Sequence, residues 1–202
     1  MNKSKVIVIC GPTASGKTGL SIELAKRIGG EIVSADSMQI YKDMNIGTAK
    51  VTMEEMQGIK HYLIDFISPE QRYSVADFKK DAENAIAKIL ENGKVPIVVG
   101  GTGLYINSLI YGIEYQDIKI DMNYRNELEK IAQEKGLDYL YEKAVEIDSQ
   151  AMKTISRNDR KRIMRVLEIY KQTGKTKTQQ DIDSRKNGIK YDYKVFAINM
   201  DR

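Results

Sequence analysis

Apolar residues along this chain gather in short, nearly continuous runs, separated by longer stretches in which they recur every three or four positions. Runs at 6–10, 31–34, 62–67, 96–99 and 194–198 predict β-strands. Several are almost pure Val and Ile, which suits strands buried on both faces of a parallel sheet. Helical spacing over Lys17–Ile28, Val75–Glu91 and 102–111 predicts helices between them. Strands that alternate with helices imply an α/β fold with right-handed crossovers.

The pattern changes after Tyr115. From 122 to 173 no strand signal occurs, and the spacing predicts three amphipathic helices at 124–134, 137–147 and 158–173. Gly136 and Gly174 sit where helices end, and Asp148-Ser149 reads as a turn. The expected organisation is a core of 1–115, a helical insertion of 116–190, and a return strand of the core in 191–202. A parallel strand usually needs a helix to cover it, so a chain that stops just after one reads as a fragment.

The first apolar run leads into Gly11-Pro12-Thr13-Ala14-Ser15-Gly16-Lys17-Thr18, which fits G-x-x-x-x-G-K-[ST] at every position. A strand before it and a helix after it are the context this motif requires. Its backbone N–H groups turn inward towards phosphate oxygens, and the following helix adds the positive end of its dipole. Lys17 supplies a full charge, and a Thr in the place of Thr18 commonly holds Mg²⁺. The motif specifies an anion but neither the phosphate compound nor its fate.

Ligands of such sheets lie beyond the carboxyl ends of the strands. Asp36, just past the second strand, is the candidate general base; its alternative role is capping the following turn. Gln39 carries an amide able to read a base edge. Gly100-Gly101-Thr102-Gly103 brings backbone close to something beyond the fourth strand, and Thr102 by itself reads as a helix cap. His61, the only histidine, reads as structural, and Cys10, the only cysteine, as a small core residue.

Charge adds one asymmetry. The net +4 divides into 14 basic against 6 acidic residues from 151 onward, and 18 against 22 before it. Such a basic end suggests a polyanionic partner. The densest cluster, Arg157 to Arg165, places Lys161 and Arg165 on one helix face. Ile163, Val166, Leu167 and Tyr170 form the stripe expected to be buried. With 42% hydrophobic residues and 30% charged, the chain reads as soluble and globular, with no run able to span a bilayer. A single cysteine and an N-terminus without a signal layout fit the cytoplasm. One insertion without heptads suggests a monomer.

The segments GPTASGKT (11–18), SADSMQIY (34–41), IGTAK (46–50), HYLIDFISPEQRYSVADF (61–78), PIVVGGTGLYINSLIYG (96–112) and NDRKRIMRVLEIYKQTGK (158–175) together closely resemble the bacterial tRNA dimethylallyltransferases. The resemblance runs over essentially the whole chain. It implies a P-loop NTPase-like sheet and transfer of the dimethylallyl group from dimethylallyl diphosphate, with Mg²⁺. The acceptor it implies is the exocyclic amine of the adenosine just 3′ of the tRNA anticodon. Gly11, Pro12, Thr13, Ala14, Ser15, Gly16, Lys17 and Thr18 would hold pyrophosphate, and Asp36 would take the amine's proton. By resemblance Asp36, Ser37, Met38 and Gln39 form one tRNA contact strip. Lys161, Arg162, Ile163, Met164 and Arg165 form another, and Thr102 and Arg125 also touch tRNA. The inserted helices would grip the anticodon stem-loop. One departure is Val51, where the family usually has proline, and it would loosen a loop. A P-loop kinase using the insertion as a lid, and a non-catalytic RNA-binding module, are the other readings open at this point.

Overall fold

The computed structural model describes residues 3–115 and 121–199. Five parallel strands form one sheet in the order β3-β2-β4-β1-β5. They are β1 (Lys5–Cys10), β2 (Gly30–Ser34), β3 (His61–Tyr62), β4 (Val95–Gly100) and β5 (Asp192–Ala197). Helices α1 (Lys17–Ile28), α2 (Met53–Met56), α3 (Val75–Glu91) and α4 (Gly103–Ile110) belong with them. The chain falls into two compact units, Met1–Tyr115 with Asn187–Arg202, and Gln116–Lys186. No helix among the described residues is long and apolar enough to cross a membrane.

The sheet is apolar on both faces, as its Val/Ile runs require. On one side Phe78, Ala82, Ile86 and Ile89 of α3, with Ile106 and Leu109 of α4, pack on Val6, Val8, Val33 and Val98. On the other, Ile22 and Ala25 of α1 pack on Ile9, Ile32, Ile97 and Val99. Ser74 starts α3 with a capping box, exchanging hydrogen bonds with Asp77. At the sheet's edge β5 bonds to β1 alone among the strands and leaves Val195 and Phe196 exposed.

The strand expected over 62–67 is a correction. Only His61–Tyr62 pairs with β2. Leu63 and Asp65 take left-handed φ values of 60° and 58°, which no strand tolerates. The N–H groups of Asp65, Phe66 and Ile67 donate instead to the carbonyls of Gln39 and Ile40. Short helices α2 and α8 (Lys177–Asp183) carry too few residues for a periodic signal. Val51 is buried and packs with the α1 side of the core.

The second unit contains α5 (Met122–Lys135), α6 (Leu137–Met152), α7 (Arg160–Thr173) and α8. Leu128, Leu140, Ala144, Met152, Ile163 and Leu167 are among its core. The turn read at Asp148 is a kink inside α6, where φ −145° and ψ 74° break the helix and α6 then resumes. The Asp148 carboxylate is buried, accepting from the N–H of Ala151 (3.0 Å) and from the N–H and hydroxyl of Thr178 (both 2.7 Å). Those bonds to the charged form hold its pKa below the usual carboxylate range although burial pushes the other way. Tyr170, expected in the buried stripe, is exposed.

Candidate active site and RNA-contact surface

Between β1 and α1 the chain turns through the phosphate loop. Gly16 caps α1 at φ 79°, a left-handed value that favours glycine, and Ala14 sits at φ 62° although it has a side chain. A strained non-glycine residue in such a loop marks a functional candidate. The Lys17 ammonium donates to the Pro12 carbonyl and lies 3.4 Å from Ser15 Oγ, folded back along the loop. Thr18 is exposed at the first turn of α1, and its carbonyl accepts from the Ser21 hydroxyl (2.8 Å).

The loops after β2 and β4 meet beside it. The Ala35 N–H donates to the Val99 carbonyl (2.7 Å), and the Thr102 N–H to the Ala35 carbonyl (3.3 Å). Any side chain at Gly100 would place its Cβ 2.2 Å from the Ala35 oxygen, so only glycine permits this approach. Thr102 occupies the cap position of α4 but does not cap it. Its Oγ1 accepts from the Ser37 N–H (3.0 Å) and lies 3.3 Å from the Ser37 hydroxyl. The expected capping role is thus replaced by a bridge between the two loops.

Asp36 does cap its turn. Its Oδ1 accepts from the N–H groups of Met38 (2.9 Å) and Gln39 (3.3 Å). Those bonds orient the carboxylate, which lines a cavity of about 290 Å³ together with Thr13 to Thr18 of the loop. The capping role of Asp36 holds, and the same turn leaves its carboxylate on the cavity wall. The Gln39 amide is spoken for differently: Nε2 donates to the carbonyls of Thr48 (3.2 Å) and Ala49 (3.3 Å). Its donors hold Thr48 and Ala49 here, so the amide nitrogen is engaged within the protein. Met38 is exposed.

His61 lines the same cavity. Its Nδ1 is 2.8 Å from the Ile59 carbonyl, and burial pushes its pKa below the usual histidine range. The resulting neutral ring donates from Nδ1 and leaves Nε2 as an acceptor. Tyr105 of α4 stacks on Phe78 with centroids 4.0 Å apart, and burial pushes its phenol up to about 12. Thr18 and Asp36 are among the oxygen-bearing side chains that line the cavity. No group of three or more His, Cys, Asp or Glu that could hold a metal occurs among the described residues.

In the helical unit the predicted contact residues separate. Lys161 and Arg162 are exposed and Arg165 is half-buried. Ile163 and Met164 are 0% and 3% exposed, so their side chains belong to the core and not to a contact strip. Arg125 donates to Glu168 through both Nε (2.6 Å) and Nη2 (3.0 Å). Glu168 is 0% exposed and also receives Arg165 Nη1 at 3.4 Å. Glu168 carried no sequence signal beyond its place on the inner face of α7. A cavity of about 280 Å³ in this unit is lined by Thr154, Arg162, Arg165 and Lys177, with Asp181 the acidic member.

A profile of the family described as IPP transferase matches residues 39–202. The chain belongs to that family. A tRNA dimethylallyltransferase of Acetivibrio thermocellus is 54% identical over 197 residues, covering 98% of this chain and 63% of the relative. One of Bacillus anthracis is 46% identical over 202 residues, 100% of this chain and 64% of the relative. The chain thus spans somewhat under two thirds of these relatives. A crystal structure of a tRNA isopentenylpyrophosphate transferase from Staphylococcus epidermidis, 45% identical, aligns with TM-score 0.59 over 96% of this chain and 63% of that one. A eukaryotic dimethylallyltransferase acting on tRNA, 34% identical, aligns with TM-score 0.76 over 96% of this chain and 48% of that one. The likeness to these structures agrees with the α/β fold of a parallel sheet flanked by helices.

Proposed function

We propose that this chain carries the catalytic core of a tRNA prenyltransferase that moves a dimethylallyl group from dimethylallyl diphosphate to an adenosine amine of tRNA. The observation that carries this reading is Asp36, oriented by its own turn into the cavity that the phosphate loop lines. The amine lone pair forms the new C–N bond while the allylic C–O bond breaks and its electron pair leaves with pyrophosphate. Asp36 accepts the proton lost by the amine. The loop amides and Lys17 stabilise the charge that grows on pyrophosphate, the type of electrostatic term that usually dominates. Mg²⁺ suits the donors present, because it takes one or two protein oxygens and completes its shell with water and substrate phosphates. Thr18 would hold it, and it would neutralise the leaving group.

The substrate reading extends to the helical unit, where Lys161, Arg162 and Arg165 supply charge for the anticodon stem-loop. Arg125 contributes through Glu168, which it helps to hold beside Arg165. The adenosine would leave its stack to reach Asp36.

The test is mass spectrometry of unmodified tRNA incubated with this chain, Mg²⁺ and dimethylallyl diphosphate, beside a full-length relative. The expected result is one dimethylallyl unit on the adenosine 3′ of the anticodon. Asp36→Asn keeps an acceptor for the Met38 N–H but removes the base. It is expected to retain tRNA binding and to transfer about 10²–10⁴-fold more slowly. Equal rates for the variant and its parent would overturn Asp36 as base. Phosphorylation from ATP without prenylation would favour the kinase reading.

A further inference from the structure

The cavity at the phosphate loop has a neighbour in the same unit. A second cavity, of about 680 Å³, is bounded by the segment from Asn45 to Asp65. Val51, His61 and Ile64 line both cavities and so form the partition between them.

The partition is built rigidly. Val51 packs into the core beside α1. Ile64 stands between the left-handed residues Leu63 and Asp65, and it packs on the α1 side while Tyr62 and Leu63 pack on the α3 side. The Lys50 ammonium donates to the Tyr41 carbonyl (2.6 Å) and to Asp65 Oδ1, so the sequence neighbours of Val51 and Ile64 are pinned together. The Gln39 carbonyl accepts from the Asp65 N–H (3.0 Å), while its amide holds Thr48 and Ala49. A wall held at this many points does not yield to a ligand as a free loop would.

Its position relative to the anion site gives it a use. The phosphate loop fixes the charged end of a diphosphate. Ile32, Val51, Ile64 and Val99 supply apolar lining in the rest of the first cavity, and an apolar tail is driven there by its exclusion from water. At about 290 Å³ this cavity is at the small end of ligand pockets. Resting on the transferase reading above, we infer that Val51, His61 and Ile64 set the length of prenyl chain this site accepts. A dimethylallyl group ends against them, and a geranyl group, one isoprene unit longer, would have to enter the second cavity to fit. Neither residue pairing nor the phosphate loop needs to change for that to happen; only the partition stands in the way.

The experiment compares the parent chain with Val51→Ala and Ile64→Ala. Each is given dimethylallyl or geranyl diphosphate with unmodified tRNA, and the product is read by mass. Calorimetric binding of the two diphosphates and of inorganic pyrophosphate accompanies it. The parent is expected to use dimethylallyl diphosphate and to exclude geranyl diphosphate. In the variants, the ratio of kcat/KM for geranyl over dimethylallyl is expected to rise about tenfold or more, the scale on which apolar pockets discriminate by size. Pyrophosphate binding should be unchanged. Folded variants that transfer dimethylallyl but still exclude geranyl would overturn the inference, as would a parent that accepts both. A parent that binds pyrophosphate yet neither binds nor transfers the dimethylallyl compound would instead overturn the transferase reading and the partition with it. Ile64→Val, a trim of one methylene, replaces either alanine variant that does not fold and is read against the same ratio.

Discussion

The hydroxyl oxygen of Thr102 lies 3.0 Å from the backbone nitrogen of Ser37, across 65 positions of chain. This bond joins the loop after β4 to the turn that Asp36 caps. Thr102→Val keeps the shape but removes the acceptor, leaving the Ser37 N–H without this partner at a cost of about 1–2 kcal/mol. For a chain of this size that corresponds to a fall in Tm of roughly 2–8 °C. Transfer is expected to fall further than stability, because the Asp36 turn loses one of its anchors, and Thr102→Ser should restore both. Thermal unfolding beside prenyl-transfer rates checks it; a Val variant with full activity would show the bridge to be structural only.

Exposed and buried members of the 161–165 strip are expected to behave oppositely. Lys161→Ala or Arg162→Ala should weaken tRNA binding and lower the slope of log affinity against log salt by about 0.7–0.9 each. Ile163→Ala should leave that slope alone and destabilise the helical unit by roughly 2–4 kcal/mol, since Ile163 is fully buried. Binding titrations over a range of salt, with urea denaturation of the same proteins, separate the two effects.

Glu168 is the keystone of the helical unit's charge network, buried between Arg125 and Arg165. Glu168→Ala strands both guanidinium groups. Removing one partner of a buried pair costs about 3–5 kcal/mol, and the partial exposure of both arginines places this case at the lower end, roughly 3 kcal/mol. The double variant Arg125→Met/Glu168→Met is expected to lose less than Glu168→Ala alone. Hydrogen exchange in α5 and α7 and urea midpoints report it.

Acid is expected to act through His61. Burial lowers its pKa in the folded protein, so the unfolded chain binds that proton more readily. The stability contributed by neutral His61 is therefore complete above the unfolded value near 6.5 and is lost as pH falls below it. His61→Asn should flatten the stability curve below about pH 6.5. Urea midpoints across that range would show a parallel curve for both proteins if His61 took no part.

Much of the core was legible because local physics and tertiary structure agreed there. The Val/Ile runs at 6–10 and 96–99 are strands, Lys17–Ile28 and Val75–Glu91 are helices at those bounds, and the phosphate motif stands between a strand and a helix. Where they disagreed, non-local bonds won. The run at 62–67 is apolar enough for a strand, yet Leu63 and Asp65 turn left-handed where the carbonyls of Gln39 and Ile40 capture the N–H groups of 65–67. Thr102 has the sequence of a cap, yet Ser37 claims its hydroxyl.

The sequence alone makes this protein an α/β chain with a phosphate-loop motif between a strand and a helix and with a helical insertion, because those features depend on residue spacing of a few positions. Tertiary structure alone decided that Thr102 reaches Ser37, that Gln39 and Lys50 brace a loop, and that Glu168 binds Arg125. Those relationships join residues 9 to 65 positions apart, and hydrophobic period and turn chemistry carry no information over such separations. Packing settles them, because a buried polar group must find a partner wherever the fold provides one.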